Sequence, residues 1–130
     1  MNHLKQEQIK FEIETWKRFL GFLSTENEHL KIRFSCVLKT DVDLRLMEGF
    51  EEFQNRFVSA DTAIIVYKRA LAELESTFVG NLQTTNLEWF EVINKLSKTK
   101  DSIVHLQQAV SALIWDFHRF LEKELVTAGR

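Results

Sequence analysis

The chain has 130 residues, of which 45% are hydrophobic and 28% charged, a balance that excludes a disordered segment and fits one domain spanning residues 1–130. The formal net charge is −2 and acids and bases alternate without a block of one sign, which argues against nucleic acid as a partner, and no run approaches the roughly 18 consecutive apolar residues of a membrane helix. Proline is absent and only four glycines are present, so long helices are permitted, because an interior proline costs a helix about 3 kcal/mol.

Residues 1–10 are polar and lack the apolar core of a signal peptide. The first helical pattern then runs through Ile9, Ile13, Trp16, Leu20, Leu23, Asn27, Leu30, Phe34 and Val37, in alternating steps of four and three. Such a stripe lies along one side of a helix slightly underwound to about 3.5 residues per turn, as in a coiled coil. Asn27 is its one polar member. It either fixes register and association state within a seam or sits solvated at a helix end or kink. Thr25 with Glu28 fits a capping box, so a break after Gly21 and Ser24 is the alternative to one continuous helix.

A tight turn is expected from Leu38 to Asp41, with Thr40 and Asp41 available to cap the next helix. The second stripe holds Leu46, Phe50, Phe53, Phe57, Ala60, Ile64, Tyr67, Leu71, Leu74 and Phe78, all apolar and in the same alternation. It predicts one helix from Val42 to Val79, about 55 Å long at 1.5 Å per residue. Gly80 stands where a left-handed helix end is wanted, and a polar loop follows from Asn81 to Thr85.

The third stripe is read as Trp89, Ile93, Leu96, Ile103, Val110, Ile114, Phe117 and Leu121, interrupted at Lys100 and Gln107. One helix from Asn86 to Val126, opened by a Thr85–Glu88 capping box, is the first reading; a break between Ser97 and Asp101 is the second. Short links between long helices imply antiparallel neighbours. The fold class expected is therefore all-α, an antiparallel bundle of three long helices, or four if the first or third is broken.

Each stripe has a second apolar edge. Phe11, Phe19 and Phe22 flank the first; Met47, Val58 and Ile65 flank the second; Leu106, Leu113 and Phe120 flank the third. Facing two neighbours within one bundle widens a helix's apolar face, but so does burial against another chain. Eleven phenylalanines, three tryptophans and one tyrosine are a heavy aromatic load for three thin helices, and favour a homo-oligomer or a helical protein partner. A homodimer is the commonest closed solution. Phe11, Phe19, Phe22 and Asn27 are the interface candidates. Trp16, Trp89 and Trp115 fall in or beside the stripes and read as core or interface anchors.

Little here points to chemistry. Glu26 and His29 have the Glu-x-x-His spacing of di-iron bundles, but a bundle centre needs two copies and further glutamates. The pairs His118/Glu122 and Asp101/His105 share helix faces without repeating that geometry. Cys36 lies two helical turns beyond His29, about 10 Å, too far to share a zinc, and a single thiol forms no internal disulfide. No phosphate-binding glycine loop and no Gly-x-Ser-x-Gly elbow occurs. Lys95, Lys98 and Lys100 beside Asp101 read as a solvated helix end. We therefore expect no enzyme activity, no catalytic residues, no cofactor and a cytoplasmic setting. A metal- or small-ligand-binding bundle, with Glu26 and His29 as its weak metal candidates, is the alternative function.

Two segments carry a family resemblance: Glu51-Glu52-Phe53-Gln54-Asn55-Arg56-Phe57 and Phe117-His118-Arg119-Phe120-Leu121-Glu122-Lys123. With the amphipathic first helix, they resemble a group of short bacterial coiled-coil proteins that have a Phe-Gln-Asn-x-Phe segment and a C-terminal Phe-Leu-x-Lys segment. The resemblance implies long helices and a bacterial cytosol. It brings no activity and no functional residues, and this chain departs from it in the aromatic richness of its first helix.

Overall fold

A computed structural model describes residues 3–40, 44–80 and 86–128. They form α1 (His3–Thr40), α2 (Leu44–Gly80) and α3 (Asn86–Ala128), and no strand occurs among them. The molecule is an all-helical bundle of three helices, none of them broken.

Both suspected breaks are helical for a local reason. Thr25 Oγ1 donates to the carbonyl of Gly21 at 3.1 Å, Thr99 Oγ1 to Lys95 at 2.8 Å and Ser102 Oγ to Lys98 at 3.1 Å. Each hydroxyl bonds back to the preceding turn of its own helix instead of capping a new one. Two boundary expectations are corrected. Helix α1 continues through Leu38 and Lys39 to Thr40, where a turn was expected. Gly80 is the last helical residue of α2, and no glycine among the described residues has positive φ. Asp41, Val42 and the whole of 81–85, including Thr85 of the expected capping box, lie outside the described residues.

Cross-helix ion pairs show how the helices run. Lys17 meets Glu75 at 2.8 Å and Lys31 meets Asp61 at 2.6 Å, so α2 runs antiparallel to α1. Arg56 meets Asp116 at 3.0 Å, and Gly49 lies under the ring of Phe120, so α3 is antiparallel to α2. Lys100 reaches Glu12 at 2.9 Å across the parallel pair α1 and α3.

The core follows the first two stripes closely. Ile9, Ile13, Leu20, Leu23, Leu30 and Phe34 of α1 are buried, as are Phe50, Phe53, Phe57, Ala60, Ile64, Leu71 and Leu74 of α2. In α3 the expected register needs correction. Val92, Leu106 and Leu113 are buried, whereas Ile93 is 43% exposed, Gln107 is exposed and Ile114 is half-buried. The buried residues of α3 therefore run Trp89, Val92, Leu96, Ile103, Leu106, Val110, Leu113, Phe117 and Leu121, the last as expected, with Thr99, Ile114 and Phe120 half-buried beside them. The interruptions at Lys100 and Gln107 belong to the neighbouring line of residues, at the edge of α3 from which Lys100 reaches Glu12 of α1.

The core has two parts. One is largely aliphatic and extends from Ile9 to Leu23 in α1, from Ala60 to Leu74 in α2 and from Trp89 to Val110 in α3. The other is built on phenylalanine: Phe34, Phe50, Phe53, Phe57 and Phe117, with Phe120 at its edge. Its rings meet edge-on, with centroids 5.2 Å apart for Phe34–Phe50 and Phe53–Phe117 and 5.6 Å for Phe57–Phe117. That is the arrangement aromatic quadrupoles favour. Between the two parts lies Asn27.

Candidate interaction surface

Asn27 is wholly buried, and its position is set by the seam that carries it. Its amide nitrogen donates to the carbonyl of Phe57 at 3.0 Å and to Asp61 Oδ1 at 2.7 Å. The other Asp61 oxygen takes Lys31 at 2.6 Å, and Lys31 also meets Glu28 at 2.8 Å. Asp61 is thus held between an amide and an ammonium from consecutive turns of α1. The Lys31 ammonium is held above its ordinary range, first by its hydrogen bond to Asp61 and then by that to Glu28. Asn27 Oδ1 has no hydrogen-bond partner among the described residues. The solvated reading of Asn27 is overturned by its burial. Its place is the seam between α1 and α2, inside the chain and not on an outer face.

The other three interface candidates lie outward. Phe11 is 68% exposed and Phe22 57% exposed. Phe19 is half-buried against the aliphatic core, edge-on to Trp16 at 5.8 Å and stacked with Phe22 at 6.3 Å. Phe22 is thus the outer member of an aromatic stair that climbs from the core through Phe19. Ile32 is 59% exposed on the same side. Sequence reasoning missed it, although it stands three heptads after Phe11 and so occupies the same place in the repeat. Phe90 and Trp115 of α3 are also exposed, so Trp115 is no core anchor, in contrast to the buried Trp89.

The metal candidates share a groove between α1 and α3. Glu26, His29 and Ile32 line one side of it, with Ile114 and His118 on the other. Its lining is mostly apolar. No three His, Cys, Asp or Glu side chains come together as a metal site among the described residues. Cys36 is a free, exposed thiol. Lys95 and Lys98 border a second groove, between α2 and α3, shared with Glu73. No described helix is long and apolar enough to cross a membrane.

The accessible surface is 9077 Å². A compact monomer of 15.3 kDa would expose about 7,100 Å² by the usual scaling with mass. Three thin helices laid side by side expose more surface than a compact body of the same mass. Compared with protein-family models, with curated proteins and with solved structures, the chain matches none.

Proposed function

We propose that this protein is a non-enzymatic helical interaction or scaffold module that works as a homodimer, joined through the outer aromatic face of α1. One observation carries the reading: Phe11 and Phe22 are exposed on a bundle whose own seams are filled without them. Large exposed aromatics grouped on one face mark a contact surface more often than they mark nothing, and aromatics are the side chains that anchor interfaces. A cytoplasmic setting accords with the single free thiol.

The test is the mass of the untagged protein in native mass spectrometry, alongside Phe22→Ser. A mass of two chains for the wild type, falling to 15.3 kDa for Phe22→Ser with helical content unchanged, is the expected result. Phe22 suits this better than Phe19, which touches the core and whose loss would also loosen the bundle. A wild type that stays at one chain mass at high micromolar concentration ends the homodimer reading.

A further inference from the structure

We propose that Lys68 guards the register of α1 against α2, as the charge that meets a like charge whenever the two helices slip by one heptad. This concerns the single chain and does not depend on the homodimer reading. The stripes of α1 and α2 both repeat every seven residues, and Asn27 is their one polar member. A slip of seven residues, about 10 Å along the axis, therefore keeps apolar residues against apolar ones. Burial alone does not choose among such registers, and the choice falls to the polar residues of the seam and its edge.

That edge is regular. Lys17 meets Glu75 and Lys31 meets Asp61, fourteen residues apart on each helix. Midway between them stand Ser24 of α1 and Lys68 of α2, so these two share the middle level. Of the three α1 residues only Ser24 is uncharged, and it is the one that Lys68 faces. Lys68 is exposed and makes no ion pair among the described residues.

Helices α2 and α3 are held together by the Arg56–Asp116 pair and by the seat of Phe120 on Gly49, so α1 slips against both. In one slip each α1 residue takes the place of the residue seven later. Lys17 then comes level with Lys68, and Lys5 takes the place of Glu12 against Lys100. Lysine faces lysine twice. In the other slip each α1 residue takes the place of the residue seven earlier. Lys31 then comes level with Lys68, and Phe19 takes the place of Glu12 against Lys100. Asn27 moves into the wholly buried place of Leu20, where Lys68 stands instead of Asp61. Lysine donates and cannot accept, so the Asn27 amide loses its side-chain acceptor there. Both slips also break the Lys17–Glu75, Lys31–Asp61 and Lys100–Glu12 pairs. Repulsion in the wrong register, added to attraction in the right one, is how regular helices are confined to a single arrangement.

Zero-length carbodiimide cross-linking reports the register, because it joins only ammonium and carboxylate groups in contact. Products of single-chain mass are read by peptide mapping, which leaves out links between chains. The wild type should give the Lys17–Glu75, Lys31–Asp61 and Lys100–Glu12 links and no others between helices at this edge. In Lys68→Asp the repulsion becomes an attraction, and a link from Lys31 to position 68 should appear beside the native ones. In the native register the two stand about 10 Å apart along the axis, too far for such a link. A link from Lys17 to position 68 records the slip in the opposite direction and supports the guard equally. Exchanging the two residues, Asp61→Lys with Lys68→Asp, moves the acceptor by one heptad at constant composition. The link from Lys31 to position 68 should then become the main one, and the Lys17–Glu75 link should be lost. Lys68→Asp alone decides if the exchange variant does not fold, since it alters one exposed side chain. Native links alone in Lys68→Asp, at native helical content, mean that the register is held elsewhere and overturn the proposal.

Discussion

Two glycines in the bundle make opposite predictions. Gly49 sits beneath the Phe120 ring, where an added Cβ would lie 2.5 Å from Phe120 Cε2 and 2.7 Å from Cζ. That ring is itself held against Phe50 and Phe53, with centroids 5.5 and 5.2 Å away, so it has little room to withdraw. Gly49→Ala should therefore lower stability by about 1–3 kcal/mol, although alanine is the better helix former. Gly21 has nothing within 4 Å of an added Cβ. Gly21→Ala should raise stability by about 0.5–1 kcal/mol. Denaturant midpoints of the two variants check both signs at once, and the same sign for both would refute the packing argument. Asn27 gives a sharper contrast. Asn27→Asp places a carboxylate against Asp61 and the Phe57 carbonyl, where only donors fit, and should cost about 3 kcal/mol or more. Asn27→Leu removes the unpartnered Oδ1 but also the donor to Asp61 Oδ1 and the Phe57 carbonyl, and should cost about 1–3 kcal/mol, less than the aspartate variant. A leucine variant as damaged as the aspartate variant would mean that Asn27 matters through its hydrogen bonds and not through the charge it avoids.

At the scale of the helix, the inter-helix ion pairs set a pH window. Glu75 is held below the usual carboxylate value of 4.5, chiefly by its hydrogen bond from Lys17, and Lys17 is held above 10.5 by the same bond. A carboxyl with a lowered folded-state value stabilises above its unfolded value and loses that contribution as pH falls through the folded one. A raised ammonium stabilises below 10.5 and loses its contribution at higher pH, which applies to Lys17 and Lys31 alike. Stability should therefore be level between those limits and fall at both ends. Both members of the Lys17–Glu75 pair are more than a third exposed, so the effect is about 0.5 kcal/mol. Lys17→Met should show a shallower loss of melting temperature than the wild type below about pH 4.5. Parallel acid limbs would assign the pair no role.

The helices also differ in how legible they were. In α1 and α2 a single stripe is almost wholly apolar, and it predicted most of the buried face; Trp16, Val37 and Tyr67 are half-buried, and the side chains of Leu46 and Phe78 lie outside the described ones. Helix α3 carries apolar residues on both lines that flank Trp89, Leu96, Ile103, Val110 and Phe117: Val92, Leu106 and Leu113 on one side, Ile93, Ile114 and Leu121 on the other. Periodicity alone cannot rank two such lines. Packing against two neighbours decides instead: Leu106 and Leu113 face α2, while of the other line Ile114 faces α1, Leu121 is buried in the phenylalanine core and Ile93 stays exposed. Asn27 was recognised as the odd member of its seam, but its partners Asp61 and the Phe57 carbonyl lie thirty or more residues away and leave no local trace. Phe11, Phe19 and Phe22 stood out because they broke the stripe.

For the whole molecule, the division of the core at Asn27 matters more than its length. The aliphatic part fills the end where α1 begins, and the phenylalanine part fills the other. A polar layer between two apolar clusters is a natural boundary for partial opening. This has a consequence for how the protein can be watched. Trp89 is buried in the aliphatic part and Trp16 packs against it, whereas Trp115 faces solvent and the phenylalanine part holds no tryptophan. Indole emission therefore follows one end of the rod and is blind to the other, while far-ultraviolet ellipticity sees both. In the wild type the two signals should melt together. In Asn27→Asp, where the boundary layer is weakened, they should part, and coincident curves in that variant would mean that the two ends unfold as one.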